Sequence, residues 1–222
     1  MREGIRLFKN GDYERALEHL LQLDVPSEQY PEQAYYLGLC YAKLEKNDEA
    51  LLYLEQVAAS DMDFARVFQG RLIIGYIYAV TGRYRLAEFE FSQLIEEGYE
   101  SPKVYAALAY TQYKQKKTAQ SISLLEKALE LDPDNANALN SLGYILADQE
   151  IRLGVAVDYC RRAHEQQPEN PAYRDSLGWA EYKAGNIEQA VRYMTSVRDS
   201  LSGNEEFDRH LQEIQRAVQK VR

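Results

Sequence analysis

Three columns of residues recur along this 222-residue chain at one common period, and that period limits what the chain can fold into. Small residues stand at Gly4, Gly38, Gly75, Ala109, Gly143 and Gly178, in steps of 34, 37, 34, 34 and 35. A second small column holds Ala16, Ala50, Ala87, Ser121, Ala156 and Ala190. A bulky column follows each of these by four residues: Leu20, Leu54, Phe91, Leu125, Cys160 and Met194. Self-similarity at such a period marks stacked supersecondary units, each burying its apolar face against its neighbours.

Inside each unit the spacing is helical. Leu37, Gly38 and Tyr41, like Ala50, Leu54 and Val57, fall three or four residues apart and so share a face. Thr81-Gly82-Arg83 and Ala184-Gly185-Asn186 read as tight turns between the two small columns, because glycine tolerates the left-handed geometry that ends a helix. Each unit is then helix, turn, helix. Pro31, Pro102 and Pro171 fall near the starts of units, where a missing N–H is harmless, and Ser101 and Asn170 precede two of them as N-caps. The small columns let antiparallel helices approach closely enough to receive the partner's bulky residue.

The run Ala128-Leu129-Glu130-Leu131-Asp132-Pro133-Asp134-Asn135 and the segment from Asp175-Ser176-Leu177-Gly178-Trp179 through Gly185 to Ala190 resemble the tetratricopeptide repeat. Through Leu142-Gly143-Tyr144-Ile145-Leu146-Ala147-Asp148 and the Asp175-to-Trp179 run, the last two full units are similar to bacterial members of that family. The resemblance implies an all-α fold, a right-handed superhelical solenoid of helical hairpins. Six repeats are expected, at approximately 1–30, 31–67, 68–101, 102–135, 136–170 and 171–204, with a C-terminal capping helix over 205–222. The first unit starts late at Gly4, so either its first helix is short or the chain was cut from something longer. Three extra residues lie between Val57 and Gly75, and one lies near Gln149 to Gly154. The fourth unit has Ala109, Lys116 and Ser121 where Gly, Gly and Ala are usual in the family. In 205–222 an apolar stripe at Phe207, Leu211, Ile214, Val218 and Val221 defines one amphipathic helix, read as a cap or, alternatively, as a self-association strip.

Chemistry-bearing patterns are sparse. His19, His164 and His210 fall in different units, and no metalloprotease, phosphate-loop or nucleophile-elbow motif is present. Asp132-Pro133-Asp134-Asn135-Ala136-Asn137 lacks the central Gly and final Glu of a calcium loop and reads as an inter-repeat turn. Cys40 and Cys160 read as buried hydrophobes. The chain is therefore expected to be non-enzymatic, with no metal and no cofactor. A net charge of −9 disfavours nucleic acid as a partner. With 45% hydrophobic residues the chain has material for a core. No apolar run is long enough to span a membrane, and the start lacks a signal-peptide core. The expectation is a soluble bacterial protein of cytoplasm or periplasm, which the sequence does not decide.

The informative residues are aromatic, for the chain holds 18 tyrosines. After the Leu-Gly pair or its equivalent stand Leu39, Tyr76, Tyr110, Tyr144 and Trp179, a place that in tetratricopeptide arrays faces the concave groove. Tyr35, Tyr113 and Tyr182 lie on the same face, with Lys43, Lys114, Asn140, Asp148, Asp175 and Lys183 as its polar members. Tyr and Trp offer large contact area with a polar tip and little lost rotamer freedom. These residues read as a groove for a peptide or helix segment; the alternative is that the rings only pack between neighbouring first helices. Asn never stands in the post-Gly column, which argues against the Lys and Asn carboxylate clamp of chaperone-binding members. The function expected is a protein–protein interaction scaffold or adaptor. The alternatives are a self-assembling module, a docking or sensing domain of a larger envelope complex or enzyme, and a small-molecule binder.

Overall fold

The structure, a computed structural model, describes residues 1–221, with side chains through Gln219. Thirteen α-helices are found among the described residues. They fall into two compact units, 1–100 and 101–222. The first unit holds α1 (Arg2–Lys9), α2 (Tyr13–Leu21), α3 (Tyr30–Lys43), α4 (Asn47–Ala58), α5 (Phe64–Val80) and α6 (Tyr84–Glu96). The second holds α7 (Pro102–Lys114), α8 (Thr118–Leu131), α9 (Ala136–Asp148), α10 (Leu153–Gln166), α11 (Pro171–Lys183), α12 (Ile187–Leu201) and α13 (Glu205–Val221).

Consecutive helices pair as antiparallel hairpins: α1 with α2, α3 with α4, α5 with α6, α7 with α8, α9 with α10, and α11 with α12. Within the first unit α3 also touches α1 and α5, and within the second α9 touches α7 and α11. Among the described residues no even-numbered helix packs on the next even one, so in each unit the odd helices line the closer-spaced, inner side.

The columns meet across each hairpin. A Cβ on Gly4 would lie 2.6 Å from Leu20, on Gly38 2.7 Å from Leu54, on Gly75 2.5 Å from Phe91, on Gly143 2.6 Å from Cys160 and on Gly178 3.0 Å from Met194. The second small column is fully buried from Ala16 to Ala190. In the fourth hairpin Ser121 Oγ donates to the Ala109 carbonyl at 2.8 Å, so the unusual hydroxyl is satisfied inside the hairpin.

The turn between paired helices forms a further column, all with positive φ: Gly11, Glu45, Gly82, Lys116, Glu150 and Gly185. Only half of its members are glycine, which hides it from the sequence. The extra residue near Gln149 is absorbed by a second left-handed residue, Arg152, with φ 47°. The three extra residues before Gly75 fall with α5, which runs 17 residues against 13 or 14 for α3, α7, α9 and α11. α1 has eight residues.

Helix starts follow the capping signals. Ser101 accepts from the Val104 N–H at 3.3 Å and Asn170 from that of Ala172 at 3.1 Å, each before a proline in the first turn. Asp63 caps α5 and Asn135 caps α9 in the same way.

Candidate functional site

In the first unit the expected groove residues separate. Tyr35 is 6% exposed; its hydroxyl donates to Gln69 Oε1 of α5 at 2.7 Å, and its ring meets Tyr36 edge-on. Burial pushes the Tyr35 hydroxyl pKa above its ordinary value, with Tyr36 adding and Arg66 opposing. Leu39 is buried in the same cluster with Ala34 and Val57. These two therefore belong to the packing between first helices, a correction to the groove reading: a ring or methyl held between α3 and α5 has no surface left for a ligand. Lys43 is exposed, and Tyr76 is 40% exposed, with one edge of its ring against Phe91.

In the second unit the expected residues converge. α7, α9 and α11 place Tyr110, Tyr113, Lys114, Asn140, Tyr144 and Asp175 around one open cavity of about 210 Å³, closed at its far end by Leu201, Asn204 and Glu206. Tyr110 is 45% exposed, with the Lys114 ammonium 5.4 Å from its ring centre. Tyr113 meets Tyr144 edge-on at 6.3 Å and donates to Asp148 Oδ2 at 3.1 Å. Burial, then the Asp148 carboxylate, pushes the Tyr113 pKa up to about 12. Asn140 Oδ1 is shielded from solvent and accepts no hydrogen bond among the described residues. A buried acceptor left unpaired is costly and is satisfied by any donor brought to it.

Trp179 departs from expectation. It is fully buried, because α13 returns across α11 and covers it. The His210 imidazole stacks on the indole at 4.1 Å and 19°, while the Lys183 ammonium and Arg209 guanidinium lie 4.9 Å and 5.1 Å from its ring centre. Tyr182 leans on the same indole at 5.4 Å, and Lys183 also pairs with Glu150 at 2.9 Å. Trp179 is therefore no open groove residue in this state.

Sequence reading missed the polar residues that α13 brings to this face. Tyr144 donates to Glu206 Oε1 at 2.5 Å, and Arg209 Nη2 donates to the Tyr144 oxygen at 3.2 Å. Burial, reinforced by Glu206, holds the Tyr144 hydroxyl far above its ordinary pKa. Arg209 pairs with Asp148 at 3.5 Å. Its guanidinium also stands 3.1 Å from His210 Nε2, and only an acceptor suits that donor, so Nδ1 carries the proton and donates to Asp175 at 3.1 Å. The one available signal was His210 itself, three residues after Phe207 and four before Ile214, a polar ring on the apolar stripe.

The stripe caps α12: Phe207 and Ile214 are buried against Ala190, Met194 and Val197, and Leu211 packs beside them. Val221, its last expected member, lies outside the described side chains. Among the described residues no helix is long and apolar enough to cross a membrane.

Two family models match, one described as a TPR repeat over residues 109–150 and one as a tetratricopeptide repeat over residues 1–63. A curated relative, the TPR repeat-containing protein PA4667 of Pseudomonas aeruginosa, is 31% identical over 187 residues, 82% of this chain. The chain spans only 30% of that relative's length. Among solved structures the chain is similar to Pseudomonas aeruginosa pilF, with a TM-score of 0.74 at 16% identity, covering 96% of this chain and 95% of that one. It is also similar to YrrB, described as a TPR protein with an unusual peptide-binding site, with a TM-score of 0.59 at 18% identity over 90% of this chain and 97% of that one. MamA of Desulfovibrio magneticus RS-1 gives 0.65 at 19% identity over 76% and 94%. At these identities the solved structures share the fold alone.

Proposed function

We propose, from the premise that the chain belongs to the tetratricopeptide repeat family, that it is a non-enzymatic protein–protein interaction module binding a peptide or helix segment. The observation that carries this reading is the open cavity of about 210 Å³ between α7, α9 and α11. Its walls combine exposed aromatic area at Tyr110 with a cation at Lys114 and an unpaired acceptor at Asn140. Mostly apolar walls with a few convergent polar groups are what a segment-binding pocket needs, the rings giving contact area and the polar groups register. Tyr113, Tyr144 and Asp175 are the walls of that pocket.

The test is capture from source lysate with mass spectrometry, comparing wild type with a Tyr110→Ala, Asn140→Ala variant whose circular dichroism is unchanged. A protein retained by wild type and lost by the variant supports the pocket. Equal capture by both refutes it. The greater length of the curated relative supports a second reading, in which the region is the docking part of a larger protein.

A further inference from the structure

α13 presents two faces to the second unit. Phe207 and Ile214 bury against α12, and that alone suffices to cap a terminal hairpin, whose need is to hide apolar surface. The other face adds directional polar contacts that a cap does not require. Glu206 accepts from Tyr144, Arg209 pairs with Asp148 and covers the Trp179 ring, and His210 stacks on Trp179 while donating to Asp175. These three residues stand at i, i+3 and i+4, the spacing by which a groove reads one face of a helix. Charges match position by position: a carboxylate meets a phenol donor, a guanidinium and an imidazole N–H each meet a carboxylate. Glu206 also edges the open cavity, so the covered and open parts of the aromatic row are continuous.

We infer that the Trp179 end of the row is a helix-docking surface, that α13 is the occupant it holds here, and that a partner helix bearing the same carboxylate, arginine and ring pattern takes α13's place. The inference rests on the reading of the aromatic row as a segment-binding site and names the partner's chemistry. Of the contacts to be exchanged, the Arg209–Asp148 pair is partly exposed, so it is weak and screened by salt, whereas His210 is buried against Trp179 and Asp175 and an incoming ring must replace it. α13 is tethered by the short turn Ser202-Gly203-Asn204, so it competes at an effective concentration on the order of 1 mM. Loosening its apolar face removes that competitor without touching Tyr144, Asp148, Asp175 or Trp179.

The probe is a fluorescein-labelled peptide with the sequence of residues 204–219, titrated into the full chain and read by anisotropy. A Phe207→Ala, Ile214→Ala chain is expected to bind it at least tenfold more tightly than wild type. The same peptide carrying Glu206→Lys and Arg209→Glu keeps the apolar stripe and is expected to bind at least tenfold more weakly than the native peptide. Equal binding of the two peptides makes α13 a cap only and overturns the inference, as does failure of the released chain to bind either. Should the double variant lose helical signal, Arg209→Glu in the full chain serves instead. It leaves the apolar face intact and is expected to red-shift Trp179 emission and tighten binding of the native peptide, and an unchanged spectrum with unchanged affinity overturns the proposal. Lysate capture that depends on Tyr110 is read separately, so its persistence beside a failed peptide titration removes this inference and leaves the proposed function standing.

Discussion

Replacing Gly143 by alanine isolates the rule that the small columns embody. A Cβ there would lie 2.6 Å from Cys160 Sγ, 2.8 Å from the Ala156 carbonyl oxygen and 3.0 Å from the Cys160 nitrogen. Two of those atoms are backbone of α10, so no rotamer change relieves the contact and α10 itself must shift. Overpacking of a close-packed interior costs about 1–3 kcal/mol, and a displaced backbone puts this site near the upper end. Alanine in place of a helical glycine returns about 1 kcal/mol. The net expectation is a loss of about 2 kcal/mol. Gly154, in the first turn of α10, supplies the control: nothing lies within 4 Å of its added Cβ, so Gly154→Ala is neutral or stabilising by up to about 1 kcal/mol. Gly178→Ala falls between, because its nearest neighbour is the flexible Met194 thioether at 3.0 Å. The assay is urea unfolding followed by the emission of Trp179, the only tryptophan, on a helix that packs on both α9 and α10. A Gly143→Ala midpoint equal to or above that of Gly154→Ala refutes the close-approach argument.

Two further expectations concern the first unit and the turn column. Lys116 holds φ 65° where three equivalent positions carry glycine, so Lys116→Gly is expected to stabilise the second unit by about 1 kcal/mol, read as a higher urea midpoint. Burial, with Glu55 and Glu97 adding and Arg71 opposing, holds the Glu90 carboxyl above its ordinary value of 4.5. A raised acid favours its protonated form in the folded state, so its stabilising contribution is complete below 4.5 and is lost as pH rises through the raised value. Glu90→Gln is therefore expected to melt higher than wild type at pH 7, with the difference shrinking toward pH 4; a constant difference across that range counts against the assignment.

What the sequence made legible follows from what repeats. Contacts within a hairpin recur at fixed offsets, and so Gly38 with Leu54 or Gly75 with Phe91 are readable as columns in the sequence. The turn column was half hidden, because the left-handed conformation is a backbone property that Glu45, Lys116 and Glu150 adopt without the glycine that usually announces it. Tyr35 and Tyr110 occupy nearby places in their own repeats, yet one is buried and the other 45% exposed. The difference comes from the neighbouring helix in each unit, such as Gln69 of α5 reaching Tyr35, and a pattern read one repeat at a time does not contain it.

The burial of Trp179 has the same origin at longer range. Tyr144 and Glu206 are 62 residues apart and Asp175 and His210 are 35 apart, and α13 has no counterpart earlier in the chain to supply a repeating register. Periodicity therefore located the aromatic row but was silent on what lies over it. The physical consequence is that one row carries two kinds of surface. At Tyr110 an exposed ring stands beside a cation and an unpaired amide oxygen, the place where the proposed function puts an outside segment. At Trp179 the same row already satisfies an indole face, two carboxylates and a phenol with side chains from one helix. On the proposed reading, a segment entering from the Tyr110 side and extending along the row meets Glu206, so the length of groove open to it would be set by whether α13 stays or leaves.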